Sequence, residues 1–220
     1  MPVLKNMVWD APIRLMHWSM VFLLGACWWT AENHELEWHK YSAYSMLFIV
    51  VLRLYWGFFG SANARFSQFV KSPVTALTYA KTLHKREVPV SIGHNPIGAY
   101  SVLLLLALLI TQITTGLFST DVDGFDGGPL ADHLDYDLSR AFAEWHELLF
   151  NILLAAVLLH VIAIFYYLFW RKQNLIAAML HGKNKALDEH PTQQYSLVYL
   201  LVGIILAALL LCSITVWFAA

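Results

Sequence analysis

The chain has 220 residues, of which 59% are hydrophobic and 15% aromatic while only 13% are charged, a balance that excludes an ordinary soluble domain and points to an integral membrane protein. A formal net charge of −1 provides no basic field for nucleic acid. The two cysteines, Cys27 and Cys212, both lie in apolar stretches and form neither a CxxC pair nor a CxxCH motif, so any haem must be held without thioether bonds.

Crossing a hydrocarbon core of ~30 Å takes ~20 helical residues. The first apolar run, 15–31, is short for a span, but Trp18 stands near one end and Trp28 and Trp29 at the other, as interfacial anchors do. His17 and Trp18 interrupt it and no small-residue cleavage pattern follows, so it is read as a membrane helix rather than a cleavable signal. The second run covers 40–59. After it comes a connection carrying Lys81, Lys85, Arg86 and Pro89, with 72–84 a candidate for a short interfacial helix. Pro96 opens the third helix, 97–118, at a position where its missing N–H does no harm. The fourth and fifth runs cover 143–170 and 195–218.

Lys and Arg in the connections set the orientation. Lys5 and Arg14 in the N-terminal tail, Arg65, Lys71, Lys81, Lys85 and Arg86 between the second and third helices, and Arg171, Lys172, Lys183 and Lys185 between the fourth and fifth make eleven cations on one side. The other side holds Lys40 and Arg140 against Glu32, Glu35, Glu37, Asp121, Asp123, Asp126, Asp132, Asp135, Asp137 and Glu144. The positive-inside rule then puts the N-terminus in the cytoplasm, the acidic connections outside and, with five spans, the C-terminus outside.

Of ten histidines, His17, His39, His146 and His160 fall in or at the edge of spans, where an imidazole needs a partner. One such histidine is explained by a hydrogen bond to a neighbouring helix. Four whose depths match in pairs ask for more. His146 and His160 are fourteen residues apart, about 1,400° of helical rotation, and so share a face at two depths separated by ~21 Å. By depth His17 pairs with His160 and His39 with His146. Two neutral imidazoles on facing helices make a bis-histidine axial site, so the chain is expected to hold two haem b groups (protohaem IX) without covalent bonds.

A macrocycle needs room. Gly98 and Gly116 are eighteen residues apart on the third helix, about five turns, and share a face; close helix packing through small residues accounts for them equally well. Arg53, near the cytoplasmic end of the second helix, suits a haem propionate, and Arg14 is a similar candidate; simple snorkelling is the alternative. His34, His84, His133, His181 and His190 fall in loops. His94, in Gly93-His94-Asn95-Pro96 at the cytoplasmic mouth of the third helix, is placed to exchange a proton with a quinone, or with Asn95 to serve helix entry.

Val8-Trp9-Asp10-Ala11-Pro12-Ile13-Arg14-Leu15-Met16-His17-Trp18, His39, Leu52-Arg53-Leu54-Tyr55-Trp56-Gly57-Phe58, Gly93-His94-Asn95-Pro96, and Trp145-His146-Glu147 with His160 together resemble the bacterial di-haem membrane cytochrome b family, which includes the b-type cytochrome subunit of nickel–iron hydrogenases and a superoxide-oxidising quinone reductase. The resemblance covers roughly 8–183. It implies that the four histidines are axial haem ligands in the same two pairs. Where the family often has a glycine soon after the second-helix histidine, Ser42 and Ala43 stand here.

The expected fold is thus all-α and integral to the membrane: a four-helix haem-binding bundle over 1–183, then a linker and an additional C-terminal transmembrane helix over 184–220. The expected function is transfer of electrons across the bacterial inner membrane between quinone or quinol and a redox protein on the periplasmic side, such as a c-type cytochrome. A self-contained superoxide:quinone oxidoreductase is the first alternative, and acidic outer connections count against it because they would repel an anion. A non-redox histidine-containing anchor or transporter is the second. Direction of electron flow and oligomeric state are not readable from the residues.

Overall fold

The computed structural model describes residues 7–86, 93–183 and 195–217, and these form helices, with no strand among them. Lys5, Pro89, Lys185, His190 and the end of the last expected helix lie outside the described residues. The helices are α1 (Ala11–Glu32), α2 (Leu36–Phe59), α3 (Phe66–Phe69), α4 (Pro73–Ala80), α5 (Pro96–Phe118), α6 (Tyr136–Phe169), α7 (Leu175–His181) and α8 (Leu197–Cys212), which runs into a π-helical turn at Ser213–Trp217.

Several helices begin before their apolar runs because a polar side chain closes the first turn. Asp10 accepts the amide of Ile13 at 2.7 Å, so α1 starts at Ala11 rather than 15. Asp135 accepts that of Leu138 at 3.0 Å, so α6 starts at Tyr136 rather than 143. Ser72 and Asn95 cap α4 and α5 in the same way, each followed by proline at the first helical position. Gly182, with φ of 75°, ends α7 in the left-handed conformation, so His181 closes a helix rather than standing in a loop.

Among the described residues, four helices are long and apolar enough to cross a membrane: α2, α5, α6 and Leu197–Val216. The first helix has the length, 22 residues, but Arg14, His17 and its tryptophans keep it out of that set. At 34 residues α6 is about 51 Å long, more than a bilayer core requires, and its first turns carry Asp137, Arg140 and Glu144. Large apolar side chains such as Phe22, Leu158, Leu159 and Leu209 are exposed, an arrangement that water would penalise and lipid would not.

The chain divides into two compact units. The first draws on Met1–His17, Arg53–Leu104 and Val157–Leu201. At its centre Trp56 is fully buried, and its indole N–H donates to the second oxygen of Asp10 at 3.1 Å. Val8 and Trp9 both donate their amides to the carbonyl of Gly182, and Arg14 Nη1 donates to that of Leu180 at 2.7 Å, so the N-terminal segment is fastened to the end of α7. Arg171, counted above among the topological charges, is buried: it donates to the carbonyl of Thr82 at 2.7 Å and to the Tyr79 hydroxyl. The Tyr195 and Tyr199 rings at the start of α8 pack on Trp56 and Phe59.

The second unit draws on Trp18–Leu52, Leu105–Ala156 and Val202–Ala220. Val50 and Leu153 are buried in it, as are Gly203 and Ala207, the small-residue face of α8. Here Lys40 is paired with Asp126, which fastens the start of α2 to the α5–α6 connection.

Asp10 does two jobs at a site only 2% exposed, so Asp10→Ala is expected to destabilise the protein by about 2–3 kcal/mol, the sum of a lost cap and a stranded indole N–H. Asp10→Asn keeps only one of the two acceptors and sets an amide N–H₂ against the other donor, so it should recover only part of that loss. Denaturant unfolding in detergent checks this, and a loss under about 0.5 kcal/mol for the alanine variant would show that neither bond matters.

Candidate functional sites

In the second unit, His39 on α2 and His146 on α6 face each other with ring centroids 6.2 Å apart and planes at 82°. Two imidazole nitrogens on one metal at about 2 Å each, with each ring centre roughly 1.1 Å behind its nitrogen, would set the centroids roughly 6.3 Å apart. The two rings thus have the separation of a pair with one metal ion between them.

Their hydrogen bonds point the same way. His39 Nδ1 lies 2.9 Å from the carbonyl of Cys27 on α1, and His146 Nδ1 lies 2.9 Å from the carbonyl of Gln112 on α5. A carbonyl only accepts, so in both rings Nδ1 carries the hydrogen and Nε2 keeps its lone pair, the tautomer a metal ligand needs. Thr115 Oγ1 stands 3.2 Å from the same His146 nitrogen, and Gln112 Nε2 donates back to the carbonyl of His146 at 3.0 Å. Gly116 lies against this ring: a Cβ there would sit 2.8 Å from Cε1 of His146.

In the first unit, His17 on α1 and His160 on α6 are close enough to interact electrostatically, and both also act on His94. His94 is held between the rings of Trp9 and Phe69, each centroid 4.6 Å away. That burial, with Arg53 adding to it, pushes the His94 imidazole down to about 3, so the ring is neutral at ordinary pH, and its buried Nδ1 has no partner. Asn95, not His94, is the cap of α5 and also donates to the Tyr167 hydroxyl at 3.0 Å.

Arg53 is 5% exposed, with its guanidinium 5.1 Å over the Phe66 ring. Its buried Nη1 has no partner among the described residues, which leaves a donor for an anion. Arg14 is engaged by Leu180. At Gly98 the atoms nearest to an added Cβ would be those of the Asn95 side-chain amide, at 3.4 Å, an ordinary contact. His34, His84, His133 and His181 are all exposed and belong to neither cluster.

Gln112, Thr115 and Asp10 were not singled out from the sequence. Gln112 and Thr115 lie at helical spacing with Gly116, polar residues in a run that is otherwise nearly all apolar, and that signal could have found them.

The His39–His146 spacing and tautomers suit two axial ligands of a haem, and Gly116 keeps a side chain away from one of them; in the first unit Arg53 has a buried donor with no partner among the described residues. The sequence model of the prokaryotic cytochrome b561 family matches residues 8–182. No curated protein and no solved structure shows significant similarity to the chain.

Proposed function

Because the chain belongs to the prokaryotic cytochrome b561 family of membrane electron carriers that bind b-type haem, we propose that it holds two haem b groups and transfers electrons across the bacterial membrane between quinone or quinol and a redox protein outside. When bound, the haems supply one-electron chemistry at iron. The residues of this chain do the rest.

His39 and His146 hold one haem, and His17 and His160 the other. The observation that carries the reading is the His39–His146 pair: rings 6.2 Å apart, each with Nδ1 committed to a backbone carbonyl. Those carbonyls fix the ring orientations and raise the basicity of the free nitrogens. Gly116 and Gly98 leave room beside α5. Arg53 accepts a propionate on its free Nη1, and Arg14, already engaged by Leu180, is the weaker partner.

Quinone is placed near the His17–His160 haem, beside His94. As a neutral ring His94 serves there as a hydrogen-bond partner for the quinone head group. The first helix is proposed as a fifth span, with a cytoplasmic N-terminus and a periplasmic C-terminus; the exposed Lys71, Lys81, Lys85, Arg86, Lys172 and Lys183 support that orientation. Exposed Asp123, Asp132 and Asp137 in and after the α5–α6 connection disfavour an anionic substrate such as superoxide and favour a cationic protein.

The purified protein is expected to contain two protohaems per chain, extractable into acid acetone because no CxxCH exists to bind them covalently. Haem quantitation with a reduced-minus-oxidised spectrum checks this. One haem per chain, or none, would overturn the architecture.

A further inference from the structure

At the tip of the α5–α6 connection the chain displays two apolar side chains on a rigid support. Phe125 is 94% exposed and Val122 71% exposed. The backbone beneath them is closely tied. Asp121 Oδ1 accepts the amides of Phe125 and Asp126 at 2.9 and 3.2 Å, and the Asp121 amide donates to the carbonyl of Asp126 at 2.8 Å. The Tyr136 hydroxyl donates to the carbonyl of Val122 at 2.6 Å, and the Tyr136 ring lies 3.4 Å from where a Cβ of Gly124 would be. Gly124, with φ of 73°, makes the turn a side chain would strain. Lys40 holds Asp126 from α2, and Arg140 holds the carbonyl of Thr120 from α6 at 2.8 Å.

This bracing matters energetically. An exposed aromatic on a floppy loop loses its gain on binding to the entropy of ordering, whereas one on a fixed turn has most of that loss behind it before a partner arrives. The tie-down also occupies particular carboxylates. Asp121 accepts amides within the turn, Asp126 is paired with Lys40 and Asp135 caps α6, while Asp123 in the turn and Asp132 and Asp137 farther along the connection and at the start of α6 are exposed. The result is an apolar knob with an anionic rim.

We propose that Phe125, with Val122, is the apolar anchor by which a soluble redox protein docks: one whose own contact face is an apolar patch rimmed by lysines. The rim selects the occupant. Carboxylates beside the tip oppose its burial among lipid head groups and oppose a second copy of the same acidic face, while they attract a cationic one. Charge then guides approach and register, and the aromatic supplies the residence time, as central aromatic residues do in interfaces. This inference rests on the reading of the protein as an electron carrier with a partner on that side.

The test uses the haem-loaded protein in vesicles of zwitterionic lipid and a lysine-rich c-type cytochrome as probe. Phe125→Ala is expected to raise the Kd at least tenfold, mainly through faster dissociation, with the salt dependence of association unchanged. Asp123→Asn combined with Asp132→Asn is expected to slow association and flatten its salt dependence while leaving dissociation nearly as it was. An unchanged Kd for Phe125→Ala, while wild type binds, overturns the anchor and leaves the electron-carrier reading standing. Absence of any binding by wild type overturns the choice of a cationic partner itself. Phe125→Trp provides the second measurement, read as the difference from the wild-type protein with its nine native tryptophans: additional quenching by bromine-labelled lipid chains places the tip in the bilayer and overturns the proposal, whereas additional quenching by the cytochrome's haem, removed by salt, supports it.

Discussion

Replacing His39 or His146 with alanine is expected to remove or perturb one haem and leave the other intact, and replacing His17 or His160 to do the same to the second. The expectation follows from which rings face each other. His39 and His146 are 6.2 Å apart in one unit, and His17 and His160 interact in the other. Each single variant should therefore retain about half of the bound haem, in line with one site of two, with the remaining site keeping its low-spin bis-histidine spectrum. A double variant within a pair should look like either single, because one lost axial ligand already disrupts the site. A cross-pair double such as His17→Ala with His146→Ala should affect both. If His39→Ala and His160→Ala struck the same haem, the pairing would be wrong, and with it the order of the electron path.

A second large effect is expected at a residue that has no side chain. Gly116→Ala should lower occupancy of the His39–His146 site severalfold while sparing the other, since the added methyl would sit 2.8 Å from Cε1 of His146, closer than carbon atoms approach without one of them moving. The ring cannot yield freely, because its Nδ1 is fixed by the Gln112 carbonyl and Thr115. Gly116→Val should abolish the site. Separate redox titration of the two haems measures this, and a Gly116→Ala protein with both haems at full occupancy and unchanged potentials would show that the glycine is there for some other reason. Gly98 makes a useful contrast, for the nearest neighbour of its missing side chain would be the Asn95 amide at 3.4 Å, an ordinary contact.

Much of this was legible in the sequence because membranes restrict what a chain can do. Long apolar runs must be helices, so α2, α5, α6 and α8 fall close to their expected places, and histidines inside them stand out. The ends were not legible from hydropathy. Asp10 and Asp135 extend their helices by capping, a local bond that an average over twenty residues does not see. Nor was the fate of individual charges. Arg171 reads as a loop cation but is buried against Tyr79 and Thr82, and Asp121, Asp126 and Asp135 read as one acidic field although each is engaged in a different bond. Counting charges along a chain records their sign, whereas what a partner feels depends on which of them remain unpaired. The supports of His146 were missed for a related reason: Gln112 and Thr115 matter through a carbonyl and a hydroxyl that acquire meaning only once α5 and α6 are side by side.

The fastening of Val8, Trp9 and Arg14 to the end of α7 has a consequence for how the protein is made. Arg14 and Leu180 are 166 residues apart, so at a synthesis rate of roughly 5–20 residues per second the N-terminal segment waits on the order of 10–30 s for its partner to leave the ribosome. Through that interval the segment has its bonds to Trp56 and Asn63 but lacks those to the end of α7. An early part of the chain is therefore fully fixed only late. A ribosome stalled before Gly182 should leave the N-terminal residues open to protease on the side where the completed protein protects them.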